Sequence, residues 1–153
     1  MIRLIEKEDI NDVLNLLKQV NYVHYIKRPD IFKPNTKYDY DELLNLIGDK
    51  LNPIFVYVEN NRVLGYAMTN TIKHENNRLL TDIKTLYIDD ICVDENERGK
   101  GIATKIYRHV EQYAKENNYY NIILNVWEIN PEARAFYDKM GLKPLKTTME
   151  EIL

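Results

Sequence analysis

Residues Leu86 to Thr104 read LYIDDICVDENERGKGIAT. An apolar strand ends near Val93, an acidic turn follows, and a glycine-rich turn then opens a helix whose apolar residues recur at three- and four-residue steps. Such a turn exposes backbone N–H groups that have no partner within the helix, and these groups suit a phosphate or diphosphate. The stretch therefore predicts a strand, an anion-binding turn and an amphipathic helix in direct succession.

Two common phosphate-binding motifs do not fit this turn. A P-loop, GxxxxGK[ST], needs a glycine five positions before its final Gly-Lys, and neither Asp94 nor Asn96 supplies one. A dinucleotide fingerprint, GxGxxG, would need a glycine where Thr104 stands. The turn must therefore belong to another class of anion site.

The remaining chain predicts an α+β fold in the order β, α, α, β, β, β, α, β, α, β, β. This order gives a twisted, mostly antiparallel central sheet of about seven strands flanked by four helices, within one domain that covers residues 1–153. The segments around the central stretch are a strand at Ile2–Leu4, helices at Ile10–Val20 and Asp41–Leu51, a hairpin of Ile54–Glu59 and Arg62–His74 turning at Asn60-Asn61, a long strand at Leu79–Val93, a strand at Asn121–Trp127, a helix at Pro131–Met140 between an Asn130 cap and Gly141, and a last hairpin from Leu142 onward.

Composition narrows the classes of partner. A net charge of -3 with a pI near 5.7 and no cluster of Lys and Arg argues against binding to nucleic acid. The single cysteine allows no intrachain disulfide, and no apolar run approaches the roughly 20 residues that span a bilayer. His24, His74 and His109 show no metal-ligand spacing. We therefore expect a cytoplasmic protein that uses no metal and has no membrane or nucleic-acid partner.

Two signatures in the second half of the chain resemble those of one family, the GNAT superfamily of N-acetyltransferases. The first is the acyl-CoA motif [RQ]-x-x-G-x-[GA], which matches Arg98, Gly101 and Ala103. The second is N-x-x-A-x-x-[FY]-Y-x-x-x-G-[FL], which matches Asn130, Ala133, Phe136, Tyr137, Gly141 and Leu142. Both occur in the expected order, and the predicted order of strands and helices is also similar to that family's fold.

The resemblance implies a site for acetyl-CoA as co-substrate. Its pantetheine arm would lie along the backbone of Ile91, Cys92 and Val93, and its diphosphate would lie in the turn formed by Arg98, Gly99, Lys100, Gly101, Ile102, Ala103 and Thr104. Asn130 would hydrogen-bond the cofactor, and Tyr137 would face the departing sulfur. The resemblance also implies a homodimer formed through the C-terminal strands, and an acceptor site in the first connection near His24.

Acyl transfer to an amine requires a group that takes a proton, and Asp89 and Asp90 lie just before the cofactor segment. Strand alternation points them to opposite faces unless a bulge intervenes. A carboxyl pKa of about 3.9 is more than six units below the amine's, or about 9 kcal/mol, so either aspartate would need desolvation or a water relay to act as base. Their alternative roles are positioning of the ammonium and a solvated strand end.

Tyr137 and Cys92 also have two interpretations each. Tyr137 can donate its proton to the leaving thiolate, or it can simply pack beside Phe136. Cys92 could carry an acyl group, but no histidine lies near it in the sequence and its apolar neighbours favour a core thiol.

Two functions follow from these features. The first is an N-acetyltransferase that moves an acetyl group directly from acetyl-CoA to a primary amine of a small molecule, a peptide or a protein. The second is a catalytically silent sensor or scaffold that binds acyl-CoA. The acidic pair and Tyr137 favour the enzyme, because a protein that only binds needs neither.

Overall fold

The computed structural model describes residues 1–153 and contains five β-strands and four α-helices. The strands are β1 (Ile2–Leu4), β2 (Ile54–Glu59), β3 (Arg62–Lys73), β4 (Lys84–Val93) and β5 (Asn121–Leu124). The helices are α1 (Ile10–Lys27), α2 (Tyr40–Leu46), α3 (Ile102–Glu116) and α4 (Pro131–Met140).

The five strands form one sheet in which spatial order follows sequence order. The pairs β1–β2, β2–β3 and β3–β4 are antiparallel, and β4–β5 is parallel, with α3 as the crossover that a parallel pair needs. The β2–β3 turn is formed by Asn60 and Asn61, whose φ values of 51° and 59° are the left-handed geometry that a two-residue hairpin turn requires. The predicted hairpin is confirmed.

Helices cover both faces of the sheet, because alternate residues of each strand point to opposite sides. On one face, α1 and α2 pack on Val56, Tyr66 and Met68 of the central strands. On the other face, α3 and α4 pack on a second cluster that includes Phe55 and Ala67. Full burial of an apolar side chain contributes about 1.5–3 kcal/mol, so these two clusters are what holds the layers together.

Gly65 lets α3 approach β3 and β4 closely. A Cβ atom at this position would lie 2.9 Å from the backbone oxygen of Cys92 and 2.9 Å from Cδ1 of Ile106. Because Gly65 pairs with Val93 at the end of β4, this contact fixes the distance between the end of β4 and the body of α3. The turn between those two elements is held in place as a result.

The predicted class, α+β with four helices and a mostly antiparallel sheet, is confirmed, but the number of strands is five and not seven. The missing pair is the hairpin predicted from Leu142 onward. Residues 143–153 form no strand and no backbone hydrogen bond, and Pro144 removes one of the N–H donors that a ladder would use. The segment is tied to the body by its side chains, since Glu150 accepts two hydrogen bonds from Arg28, at 3.1 and 3.2 Å.

Three other predicted elements are shorter in the structure. The second helix ends at Leu46 and not Leu51, because Gly48 has a φ of 81° that a helix cannot contain. The strand predicted from Leu79 starts at Lys84, because the Asn77 side chain accepts the backbone N–H groups of residues 79 and 80 and forms a local turn. The strand predicted at Asn121–Trp127 ends at Leu124, where its pairing with β4 stops.

Replacing Gly65 by alanine tests the close approach of α3. The Gly65→Ala protein should lose about 1–3 kcal/mol of unfolding free energy in urea denaturation, because the new methyl group overlaps the Cys92 carbonyl. Adding Ile106→Val should restore only part of this loss, since it removes the side-chain overlap and leaves the backbone overlap. An unfolding midpoint equal to or above that of the parent would contradict the predicted overlap, because alanine in a roomy strand position is neutral or stabilising.

Candidate active site

The predicted co-substrate segment lies on an open strand edge. Strand β4 pairs with β5 from Thr85 as far as Ile88, whereas its pairing with β3 continues to Val93. Residues 89–93 therefore have a strand on one side only, and their backbone groups on the other side face the gap between β4 and β5. An edge of this kind can pair with an extended chain that carries amide groups.

A β-bulge lies at the start of the open edge. Asp90 is opposite Met68 and Ile88 is opposite Thr69, so Asp89 has no partner on β3. The bulge cancels the alternation that would send neighbouring aspartates to opposite faces. Asp90 accepts a hydrogen bond from Tyr66 of β3, whose side chain lies in the core on the α1 side of the sheet. Asp89 contacts Lys37, which belongs to the connection between α1 and α2 on that same side.

Asp90 lies in an environment that favours its neutral form. Burial raises the pKa of this carboxyl group, while the hydrogen bond from Tyr66 and the positive charge of Lys37 act in the opposite direction. Tyr66 is fully buried, and its Oη donates to Asp90 Oδ2 over 2.5 Å. Burial and the charge of Asp90 raise the pKa of Tyr66 well above its usual value, so the phenol keeps its proton.

The turn between β4 and α3 has the backbone geometry of an anion site. Gly99 and Gly101 have φ values of 80° and 78°, and a Cβ at either position would point into open space. No side chain caps α3, so the N–H groups of its first turn are free to bind a ligand. An open cavity of about 200 Å³ adjoins the turn, lined by Val93, Glu97, Arg98, Gly99, Gly101, Ile102, Ala103, Thr104 and Phe136.

Of the turn residues predicted to hold the diphosphate, Arg98 to Thr104, only Lys100 does not line this cavity. Its Nζ donates to the Glu97 carboxylate at 2.5 Å, and this contact raises its pKa. The positive charge at the cavity wall comes from Arg98. The other predicted turn residues lie together on the wall.

Helix α4 carries the second signature. Asn130 is the N-cap, as predicted, and its Oδ1 accepts the N–H of Ala133 at 3.2 Å. Tyr137 is half-buried, with its ring edge-on to Phe136 at a centroid distance of 5.1 Å. Burial, followed by the negative charge of Asp90, raises the pKa of Tyr137, so at neutral pH its phenol is a proton donor.

The Cys92 side chain lies in the core, and only its backbone is on the open edge. The residue is 5% exposed, and its Sγ lies 3.6 Å from the Leu16 carbonyl. Burial and then the charge of Asp90 raise its pKa to about 12. A thiol in this state is a poor nucleophile at neutral pH, in agreement with a packing role.

The last two turns of α1 and the connection to α2 pack against the segment that precedes α4, and His24 belongs to α1 and not to the connection. His24 stacks on Phe32 with ring centroids 5.0 Å apart, and Phe32 meets Trp127 edge-on at 5.2 Å. Lys27 Nζ donates to the Ile129 carbonyl at 2.7 Å. Burial lowers the pKa of His24, which favours a neutral ring in this aromatic wall.

Sequence reasoning missed Tyr66 and Lys37. Tyr66 had one usable signal, since it places a hydroxyl group within the otherwise apolar run of a predicted strand. Lys37 had none, because its contact with Asp89 joins a loop to a strand 52 residues further along the chain.

An open strand edge can pair with an extended chain that carries amides, and a glycine-rich helix start can hold a diphosphate. Together, beside the half-buried Asp90, they suit a co-substrate that has both parts. Residues 20–142 match the Acetyltransferase (GNAT) family, and the chain belongs to this family. The resemblance identified from the two signatures is thus confirmed.

Curated relatives match a limited part of the chain. The probable glucosamine 6-phosphate N-acetyltransferase 2 of Oryza sativa subsp. japonica is 36% identical over 58 residues, which are 38% of this chain and 33% of that protein. The N-acetylaspartate synthetase of Danio rerio is 31% identical over 72 residues, which are 47% of this chain and 26% of that protein. The match thus spans a third or less of the length of these relatives.

Solved structures match the whole chain. A mutant of the BH1408 protein from Bacillus halodurans has a TM-score of 0.95 and 30% identity, over 100% of this chain and 99% of that one. An aminoglycoside acetyltransferase from an uncultured soil metagenomic sample, in complex with sisomicin, has a TM-score of 0.74 at 17% identity, over 100% of this chain and 94% of that one. The second likeness concerns the fold alone.

Neither a metal cluster nor a membrane helix is found in the structure. No three His, Cys, Asp or Glu side chains come together as a group that could hold a metal ion. None of the helices combines the length and the apolar character that crossing a membrane would take.

The raised pKa of Asp90 predicts how stability depends on pH. The folded state holds this proton more tightly than the unfolded chain, so stability should fall as pH rises from about 3.9 through the raised value. Asp90→Asn can still accept the Tyr66 hydrogen bond and removes this loss. We expect its melting temperature, relative to the parent, to increase across that pH range and to stay higher at pH 7.

A matched substitution isolates the effect of burial. Asp82→Asn changes an exposed carboxyl group that makes no ion pair, and it should leave the pH profile of stability close to that of the parent. A constant difference between Asp90→Asn and the parent at every pH would show that Asp90 does not titrate in the way proposed.

Proposed function

We propose that this protein is an N-acetyltransferase that moves an acetyl group directly from acetyl-CoA to a primary amine. The observation that carries the proposal is the continuity between the open edge of β4 and the uncapped start of α3. This edge and turn offer amide partners and then free N–H groups in the order that a pantetheine arm and a diphosphate require.

The residues present fit coenzyme A. Backbone groups of Ile91, Cys92 and Val93 would pair with the pantetheine amides, and the turn from Arg98 to Thr104 would hold the diphosphate. Asn130 lies at the start of α4, where its unused amide N–H can reach a ligand in the gap. When bound, the thioester would supply an acetyl group activated for attack by an amine.

Proton transfer would involve three side chains. Removal of Asp90 from water narrows the difference between its pKa and that of an amine, which makes it a better proton acceptor than a solvated aspartate. Asp89 would hold the incoming ammonium or pass the proton by way of water. Tyr137, which remains protonated, would donate its proton to the departing sulfur.

The acceptor would enter next to the connection between α1 and α2, where the aromatic wall of His24, Phe32 and Trp127 lies. We infer a primary amine on a small molecule, a peptide or a protein. The names of two relatives, a glucosamine 6-phosphate N-acetyltransferase and an N-acetylaspartate synthetase, are in line with an amine acceptor. The lone buried cysteine, which can form no intrachain disulfide, supports a cytoplasmic enzyme. A homodimer through the C-terminal segment also remains part of the proposal.

A catalytically silent acyl-CoA sensor is the second candidate, and one contact favours it. The Lys37 ammonium is paired with Asp89, so one of the two candidate acids is already occupied in the protein. A sensor would bind the coenzyme at the same edge and turn but would release no thiol in response to an amine.

Calorimetry with acetyl-CoA, combined with thiol release over a panel of amines, tests both candidates. The enzyme should show heat of binding and amine-dependent release of free CoA. Gly101→Ala should weaken binding by about tenfold, because the added Cβ disfavours the left-handed geometry that aims the N–H groups at the diphosphate.

Gly48→Ala is the matched control for this binding loss. Gly48 also has a positive φ, of 81°, and open space around it, but it does not line the cavity. It should lose stability without losing affinity. Binding of acetyl-CoA without thiol release would support the sensor and contradict the enzyme. Absence of binding heat with every coenzyme A thioester would contradict both functions.

Tyr137→Phe should lower kcat by roughly 10²–10⁴-fold, because it removes the proton donor to the thiolate, while acetyl-CoA affinity stays close to that of the parent. Tyr120→Phe serves as control, since that side chain is 73% exposed and its loss should change neither quantity. Equal kcat in the Tyr137→Phe and parent proteins would remove Tyr137 from the mechanism.

A further inference from the structure

Lys37 brings an amine of the protein itself to the acidic pair. It lies in the connection between α1 and α2, and its Nζ forms an ion pair with Asp89 Oδ2. Asp89 is the bulged residue of β4, at the start of the open edge. No other lysine forms an ion pair with Asp89 or Asp90.

The backbone around Lys37 is held in place on both sides. Thr36 Oγ1 donates to the Tyr38 carbonyl at 3.0 Å, and Tyr38 packs against the core on the α1 side of the sheet. Asp39 then caps α2 by accepting the N–H of Glu42 at 2.8 Å. The Lys37 side chain therefore extends from a fixed point towards β4, although it stays 45% exposed and open to solvent.

We propose that Lys37 is itself an acetyl acceptor, so that the protein transfers the acetyl group of bound acetyl-CoA to its own Lys37 Nζ. This inference rests on the proposed function, because it uses the same donor and the same acidic pair. What it adds is a modification site and the chemical class of an acceptor, an unbranched alkyl amine.

The transfer step balances with groups that the site already holds. The Lys37 ammonium first loses a proton to the acidic pair, and the neutral nitrogen then attacks the thioester carbon. A C–N bond forms, the C–S bond breaks, and the departing thiolate takes the proton of Tyr137. The Tyr137 phenolate then takes the second proton of the attacking nitrogen, and the first proton leaves the acidic pair for solvent. The products are an uncharged Nε-acetyl-lysine and free CoA.

Two physical features favour this lysine over the others. Burial lowers the pKa of Lys37 against the opposing charge of Asp90, which increases the neutral fraction that can attack. The charge of Asp90 also acts on Tyr137, so the amine and the proton donor lie within range of one carboxylate. Acetylation would remove the cation that pairs with Asp89 and leave this carboxylate open to another ammonium group.

The chain of residues 1–153 is incubated with acetyl-CoA, and the acetylation of each lysine is followed by peptide mass mapping over time. We expect Lys37 to gain one acetyl group at least about tenfold faster than Lys33, an exposed lysine of the same connection, because the ion pair with Asp89 holds the Lys37 amine at the start of the open edge. The rate per molecule should not depend on protein concentration, and Tyr137→Phe should slow Lys37 alone. Lys33 in the same molecule is an internal control, so the result does not depend on how a Lys37→Arg variant folds.

Two outcomes overturn the inference. Equal rates of acetylation at Lys37 and Lys33 would indicate non-enzymatic acetylation in solution. If Lys37 stays unmodified, it is only an ion-pair partner of Asp89 and not an acetyl acceptor. Thiol release with added amines, measured in parallel, separates the two proposals. If amines release thiol while Lys37 stays unmodified, only the self-acetylation fails; if neither amines nor Lys37 react, the proposed enzyme fails as well.

Discussion

The arrangement of the site depends on the loss of one strand partner. Beyond Ile88, β4 keeps β3 on one side and has nothing on the other, because β5 ends at Leu124. The bulge at Asp89 increases the local twist at the same point, which turns β4 away from the direction of β5. An open edge, an acidic pair and the approach to the glycine turn all result from this one divergence in the sheet.

Both layers of helices contribute to the gap that the divergence opens. Tyr66 reaches Asp90 from the side covered by α1, and Tyr137 lies on α4 within range of the same charge. A carboxylate in a poorly hydrated position is unfavourable for folding. Burial, followed by the charge of Asp90, raises the pKa of both phenols. Perturbed acids of this kind cluster at functional sites, which is the physical reason to assign the chemistry here and not to the exposed acids.

Local signals in the sequence predicted local geometry well. Asn60-Asn61, Gly101 and the Asn130 cap each occur where their own backbone preferences require them, so neighbouring residues were enough to identify them. The contacts from Tyr66 to Asp90 and from Lys37 to Asp89 depend on the register between distant segments, which no local pattern encodes. The prediction of a C-terminal hairpin was wrong for the same reason. The alternation of apolar and polar residues does not show whether another strand will be available for pairing.

The charges of the site also change how acceptor selectivity must arise. Three acids, Asp89, Asp90 and Glu128, would attract a cationic acceptor, but Asp89 is paired with Lys37 and Asp90 is shifted towards its neutral form. Glu128 has a side chain that is 90% exposed and lies 3.8 Å from a guanidinium nitrogen of Arg134, so it adds little field at the gap. Net negative charge is therefore too small to select the acceptor by itself. In the proposed enzyme, shape against the wall of His24, Phe32 and Trp127, together with competition between an incoming ammonium and Lys37 for Asp89, would supply the rest.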